Sequence, residues 1–155
     1  MLNFSNKNMN FQNAIKTCIK KKYANFSGRA SRSEFWYFWL LNFSVYAILL
    51  ILSNKVPALG FLFIALGIFF LATLIPFIAV TARRLHDVNK SGWFQILPLP
   101  FLLFTDLLIL LAGVVFPKIP PILIGVGLYI YLIVLYCSEG DKKNNRFGKG
   151  INLKK

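Results

Sequence analysis

Four long apolar runs, separated by segments whose charge alternates in density, constrain this chain more than any other feature. They are Phe35–Leu52, Pro57–Val80, Trp93–Phe116 and Ile119–Cys137, each 18 to 24 residues long. A helix rising about 1.5 Å per residue needs about 20 such residues to cross a hydrocarbon core of ~30 Å. Seven basic residues precede the first run (Lys7, Lys16, Lys20, Lys21, Lys22, Arg29, Arg32) and three lie between the second and third (Arg83, Arg84, Lys90). Six follow the fourth (Lys142, Lys143, Arg146, Lys149, Lys154, Lys155), while Lys55 and Lys118 stand alone in the other two gaps. Short basic loops stay on the cytoplasmic side, so the alternation 7–1–3–1–6 predicts four spans with both termini inside. The expected fold class is an all-α membrane protein with four transmembrane helices, N-in and C-in. A soluble helical core is the competing reading. With 57% hydrophobic and 16% aromatic residues, it would leave too little polar surface to cover the apolar runs.

A formal net charge of +13 would suit nucleic acid in another chain. Here the basic residues sit where the topology wants them, and anionic lipid of the inner leaflet is the expected partner, at about 1 kcal/mol per basic residue. A protein partner or a homo-oligomer is also open; nucleic acid is not expected. Cys18 and Cys137 both fall near the cytoplasmic side, where thiols stay reduced, and neither has a metal or redox spacing. No metal or cofactor is expected. The first run begins after 34 residues, is too long for a signal-peptide core and lacks a small-residue cleavage site, so it is expected to remain in the mature protein.

The chain divides into an N-terminal cytoplasmic or interfacial segment (1–25), a four-helix transmembrane domain (26–137) and a basic tail (138–155). Within Asn10–Tyr23, Phe11, Ala14, Ile15, Cys18 and Ile19 recur at helical spacing, with Gln12, Lys16, Lys20 and Lys21 opposite. This predicts a basic amphipathic helix lying in the interface, the alternative being a helix packed on the cytoplasmic loops. Gly28 permits a turn, Ser31 followed by Glu34 has the form of a capping box, and Phe35–Trp39 is an aromatic cluster suited to the headgroup boundary. Pro76 removes one helical hydrogen bond from the second span.

The inner loop gathers Arg83, Arg84, His86 and Asp87. If the second span stays helical through Asp87, Arg83 and Asp87 are an i,i+4 pair that can bridge, whereas neighbouring His86 and Asp87 diverge. Three blocks recur in a known pattern: F-S-G-R-A-S-R-S-E-F-W-Y-F-W at Phe26–Trp39, T-A-R-R-L-H-D-V-N-K-S-G-W at Thr81–Trp93, and Gly140–Gly148 ending N-R-F-G. Through them the chain, over Tyr23–Gly148, resembles the YhaH/YhaI-like family of small bacterial inner-membrane proteins, a domain-of-unknown-function family. Asn89 stands where that family usually has Gly, and Asp141–Asn144 where a more Gly- or Pro-containing stretch is usual. The resemblance implies a multi-pass protein of the bacterial cytoplasmic membrane and carries no established activity.

The topology puts all three blocks on one membrane face, so Arg29, Arg32, Glu34, Arg83, Arg84, His86, Asp87, Trp93 and Arg146 form one interfacial layer. Glu34 and Asp87 could pair with arginines of other segments and clip the helix ends together. Alternatively, arginines in excess over acids could hold an anionic headgroup or a partner protein. A third version makes His86 a general acid or base acting on a lipid phosphate, without a second histidine, a carboxylate pair or a nucleophile elbow to support it. Asp106, near the middle of the third run, is an intramembrane acid and by default marks an ion pathway, so a small transporter or channel is a further alternative. The expected function is a non-enzymatic integral membrane protein, with no catalytic residue assigned, whose layer binds anionic lipid or a partner protein. Cysteines introduced at Ser53–Lys55 and at Lys118 should react with a membrane-impermeant maleimide from outside intact cells, and cysteines at Lys90 and Lys149 should not; labelling at Lys90 would overturn the topology.

Overall fold

The computed structural model describes residues 9–55, 61–101, 103 and 119–151. Its α-helices are α1 (Phe11–Lys16), α2 (Arg32–Lys55), α3 (Phe61–Asp87) and α4 (Ile119–Cys137). A π-helical turn, Thr17–Lys21, continues α1, and a 3-10 helix covers Gly92–Ile96. Among the described residues, three helices are long and apolar enough to cross a membrane: α2, α3 and residues Pro120–Cys137 of α4. The third expected span opens as the 3-10 helix and resumes as helix at 98–101 and 103. Its remainder, including Thr105 and Asp106, lies outside the described residues, as do the turns at 56–60 and 116–118.

Local chemistry sets the helix starts. The Asn10 side chain accepts from the Asn13 amide at 2.9 Å, and the π-turn closes where the Lys22 amide reaches the Thr17 carbonyl at 2.8 Å. Ser31 Oγ accepts from the Glu34 amide at 3.1 Å and so caps α2. The expected capping box is only half made, because the Glu34 carboxylate is drawn to Arg83 instead of returning to Ser31. Beyond α3, Asn89 takes φ 57°, in the left-handed region. That explains why Asn can stand where a Gly was expected: it is the non-glycine residue that tolerates this conformation best.

The core is concentrated at one end of the helices. Cys18, Ala30, Phe35, Phe38, Val80, Leu85, Leu132 and Tyr136 are buried together there, where α2 begins and α3 and α4 end. Away from that end the helices carry large apolar side chains outward, among them Phe43, Ile64, Leu71 and Leu123. An apolar surface of that extent suits hydrocarbon and not water. Polar groups within the spans bond to their own helix: Asn42 to Phe38 O at 2.8 Å, Thr73 to Phe69 O at 2.9 Å, and Thr81 to Phe77 O at 2.7 Å. The amphipathic segment divides its apolar face. Ala14 and Cys18 are fully buried, and Phe11 meets Tyr37 edge-on at 5.8 Å, yet Phe11 and Ile19 keep about two-fifths of their surface exposed.

Pro76 sits inside α3 and has no amide to give the Ala72 carbonyl four residues back. Tyr23, from the segment after the π-turn, fills the vacancy: its hydroxyl donates to Ala72 O at 2.7 Å. In hydrocarbon an unpaired carbonyl would be expensive, so this bond compensates a helix defect from outside the helix. Tyr23→Phe should therefore lower stability by about 1 kcal/mol in detergent unfolding. In a Pro76→Ala background, where residue 76 regains its amide, the same change should have little effect; equal losses in both backgrounds would contradict the pairing.

Candidate functional site

The C-terminal end of α3 presents Arg83, Arg84, His86 and Asp87 on successive sides of the helix, and each finds a different neighbour. Arg83 is fully buried and donates from Nη1 to Glu34 Oε1 at 2.7 Å, and from Nε to Ala79 O at 3.3 Å. Glu34, 4% exposed, sits in the first turn of α2, so this pair joins α2 to α3. The expected Arg83–Asp87 bridge does not form. An i,i+3 bridge from Arg84 takes Asp87 instead, because Arg83 points to the α2 side, where Glu34 is the available carboxylate.

Asp87 is shared. Its Oδ1 accepts from Arg29 Nε at 2.7 Å, and its Oδ2 from Arg84 Nη1. The rest of each guanidinium is used on backbone carbonyls of the C-terminal region. Arg29 donates to Lys143 O at 2.9 Å and to Asp141 O; Arg84 donates to Tyr136 O at 3.1 Å and to Ser138 O. The α3 terminus is capped in turn by the tail: Asp141 N donates to Asp87 O at 2.8 Å, and Asn145 Nδ2 to His86 O at 2.9 Å. A Cβ on Gly140 would run into the Asp87 carboxylate, so the tail passes there only because residue 140 has no side chain.

The other layer residues lie at the edge. His86 donates from Nδ1 to Gly28 O at 3.1 Å, where Gly28 turns at φ 84°, and its ring stacks on Phe147 at 3.9 Å and 5°. The guanidinium of Arg146 lies 4.7 Å over the other partner of that stack, Phe147, and reaches Asn89 O at 3.4 Å. Trp93 is 77% exposed beside His86, on the rim of an apolar cavity that Phe26, Ile96 and Phe147 also line. Arg32 makes an exposed pair with Glu139 at 3.6 Å and donates to Cys137 O at 3.3 Å. The structure therefore brings Arg29, Arg84 and Asp87 into one buried cluster and Glu34 with Arg83 into a second, and leaves Arg32, Trp93 and Arg146 around them.

Several participants went unnoticed in the sequence. Cys18 looked bland, yet its thiol approaches Glu34 Oε1 at 3.9 Å, and burial, with the Glu34 charge adding to it, pushes the thiol up to about 12. Gly140, Asn145 and Phe147 lay within the third block without assigned roles. Tyr23 could have been sought from the carbonyl that Pro76 leaves unpaired.

Removing one member of a buried pair strands the other charge. Glu34→Leu or Arg83→Met alone should each lower stability by about 3–5 kcal/mol, and the double variant should regain most of the loss. Thermal unfolding in mild detergent reads both, and additive losses in the double variant would show that the two side chains do not act as a pair.

Residues 23–149 match the family described as protein of unknown function (DUF805). The inner membrane protein YhaI of Escherichia coli (strain K12) is 35% identical over 84% of this chain and 88% of its own length. The inner membrane protein YhaH of the same organism is 31% identical over 87% and 93%, and the uncharacterized protein YiiR 32% identical over 84% and 88%. No solved structure matches.

Proposed function

The chain belongs to the DUF805 family of proteins of unknown function, and from that premise we propose that it is a non-enzymatic, four-span inner-membrane protein. Both termini lie in the cytoplasm, and its ion-paired face presents a fixed surface to anionic lipid or to a partner protein. Its place as a multi-pass inner-membrane protein follows from its relatives and from three apolar helices of membrane-spanning length. The four-span, N-in reading rests on the charge alternation and on the way the basic flanks of α2, α3 and α4 gather at one end.

The observation that carries the functional reading is that the buried arginine donors are spent within the protein, all but Arg83 Nη2, which meets no acceptor among the described residues. Arg29, Arg83 and Arg84 are at most 6% exposed and are turned toward Glu34, Asp87 and backbone carbonyls. Their work is to lock the N-terminal block, α2, α3 and the tail together. Recognition then falls to what the lock holds at its edge: exposed Arg32 and Arg146, with Trp93 at the headgroup level. His86 is held by Gly28 O and Phe147 and has no carboxylate or second histidine paired with it among the described residues, which favours a structural role over proton transfer.

The two classes of arginine should separate in one experiment. Arg84→Met should lower the melting temperature. Arg32→Ala combined with Arg146→Ala should leave melting nearly unchanged but reduce phosphatidylglycerol retained through mild-detergent purification, measured by native mass spectrometry. Turnover of a lipid phosphate that is abolished by His86→Ala at unchanged melting temperature would replace this reading with an enzymatic one.

A further inference from the structure

The apolar cavity beside Trp93 has a volume of about 480 Å³ and lies between the last third of α3 and the 3-10 helix. That is within the ~300–1,000 Å³ of clefts that take small molecules. Its α3 wall runs from Ile78 through Ala82 to His86, a stretch of about 12 Å at ~1.5 Å per residue. Gly92, Gln95 and Ile96 form the facing wall. The approach of the two walls is set by Gly92. A Cβ there would come within 2.8 Å of the Ala82 Cβ, so the 3-10 helix lies this close to α3 only with glycine at that position.

The cavity is graded along its length. Toward the middle of α3 it is walled by Ile78 and Ala82, and at the basic end by His86, Ser91 and Phe147. The Ser91 oxygen accepts from the Trp93 amide at 3.4 Å, which leaves its hydroxyl proton to donate. Gln95 adds a side-chain amide to the same wall. Trp93 stands exposed at the rim, where an amphipathic ring suits the headgroup level. Just outside, the exposed guanidinium of Arg146 lies over Phe147, and its bond to Asn89 O occupies one nitrogen. The remaining planar donors match the geometry of a phosphate.

We propose that this cavity seats an acyl chain of an anionic phospholipid. The chain lies against Ile78, Ala82 and Ile96, Ser91 and Gln95 donate to its ester carbonyls, and Arg146 holds the phosphate. Such a lipid is apolar at one end and anionic at the other, and the walls change character in the same order and direction. The inference rests on the membrane-face reading above and sharpens it. Charge alone would draw any anionic headgroup to the surface, whereas a cavity that runs inward along α3 also reads the chain. Ile75 provides the contrast: it precedes Ile78 by three residues and is likewise apolar and exposed, but stands outside the cavity wall.

The test uses the full-length protein in mild detergent, with retention of phosphatidylglycerol read by native mass spectrometry. Ile78→Trp, which fills the inner end of the cavity and alters no charge, should reduce retention at least fivefold. Ile75→Trp should leave it within twofold. Phosphatidylglycerol carrying a diazirine in one acyl chain should label the wild-type protein at Ile78, Ala82 or Ile96. If Ile78→Trp keeps the lipid within twofold while Arg32→Ala with Arg146→Ala loses it, the cavity is refuted and the basic-face reading survives. If Ile75→Trp loses as much lipid as Ile78→Trp, the chain is not held in the cavity and the proposal falls. If the wild-type protein retains no phosphatidylglycerol, both readings fall. Melting temperatures confirm that each variant is folded. Should Ile78→Trp prove unstable, the diazirine label decides, because labelling confined to residues outside the cavity wall would overturn the proposal.

Discussion

Everything at the basic end of this protein is arranged around the carboxylate of Asp87. It stands at the last position of α3, where unpaired helix carbonyls gather, and it draws in one guanidinium from its own helix and another from the segment before α2. A lone carboxylate buried there would be unstable. Two arginines together overcompensate it, and the surplus is absorbed by carbonyls of Tyr136, Ser138, Asp141 and Lys143. The requirement that each buried charge find its acceptors thus dictates where the N-terminal block, α4's end and the tail must lie. The Arg83–Glu34 pair extends the same logic to α2.

Arginine and lysine divide the basic residues by physical character. The buried positions go to guanidinium groups, whose several planar donors can be shared between one carboxylate and several carbonyls, as Arg29 and Arg84 do. Lys142 and Lys143 flank the same network but stay exposed, where an ammonium keeps its water. The basic residues along the sequence therefore fall into two populations, one left in water and one consumed in holding the chain together.

Much of the architecture was legible because it follows from long-range averages. Apolar runs of membrane length need no knowledge of partners, and the helix start at Ser31 announced itself through cap chemistry. The layer of arginines, Glu34, His86 and Asp87 could be placed on one face by topology alone. Which acid took which arginine could not. The i,i+4 rule pointed Arg83 at Asp87, but a rule about one helix cannot register that Glu34 on another helix sits closer to Arg83. The Tyr23 bond to Ala72, 49 residues away, was invisible for the same reason, as was the role of Gly140, whose lack of a side chain matters only once Asp87 lies against it.

The acceptors that complete Arg29 and Arg84 come from the last fifth of the chain. A ribosome delivers both guanidinium groups and Asp87 well before it delivers Tyr136 through Lys143. Until then those donors must be served by water or headgroups, with the end of α3 uncapped. The face consequently closes last, after every apolar run has been made, and a chain truncated before Gly140 would expose unsatisfied charge where the finished protein shows almost none.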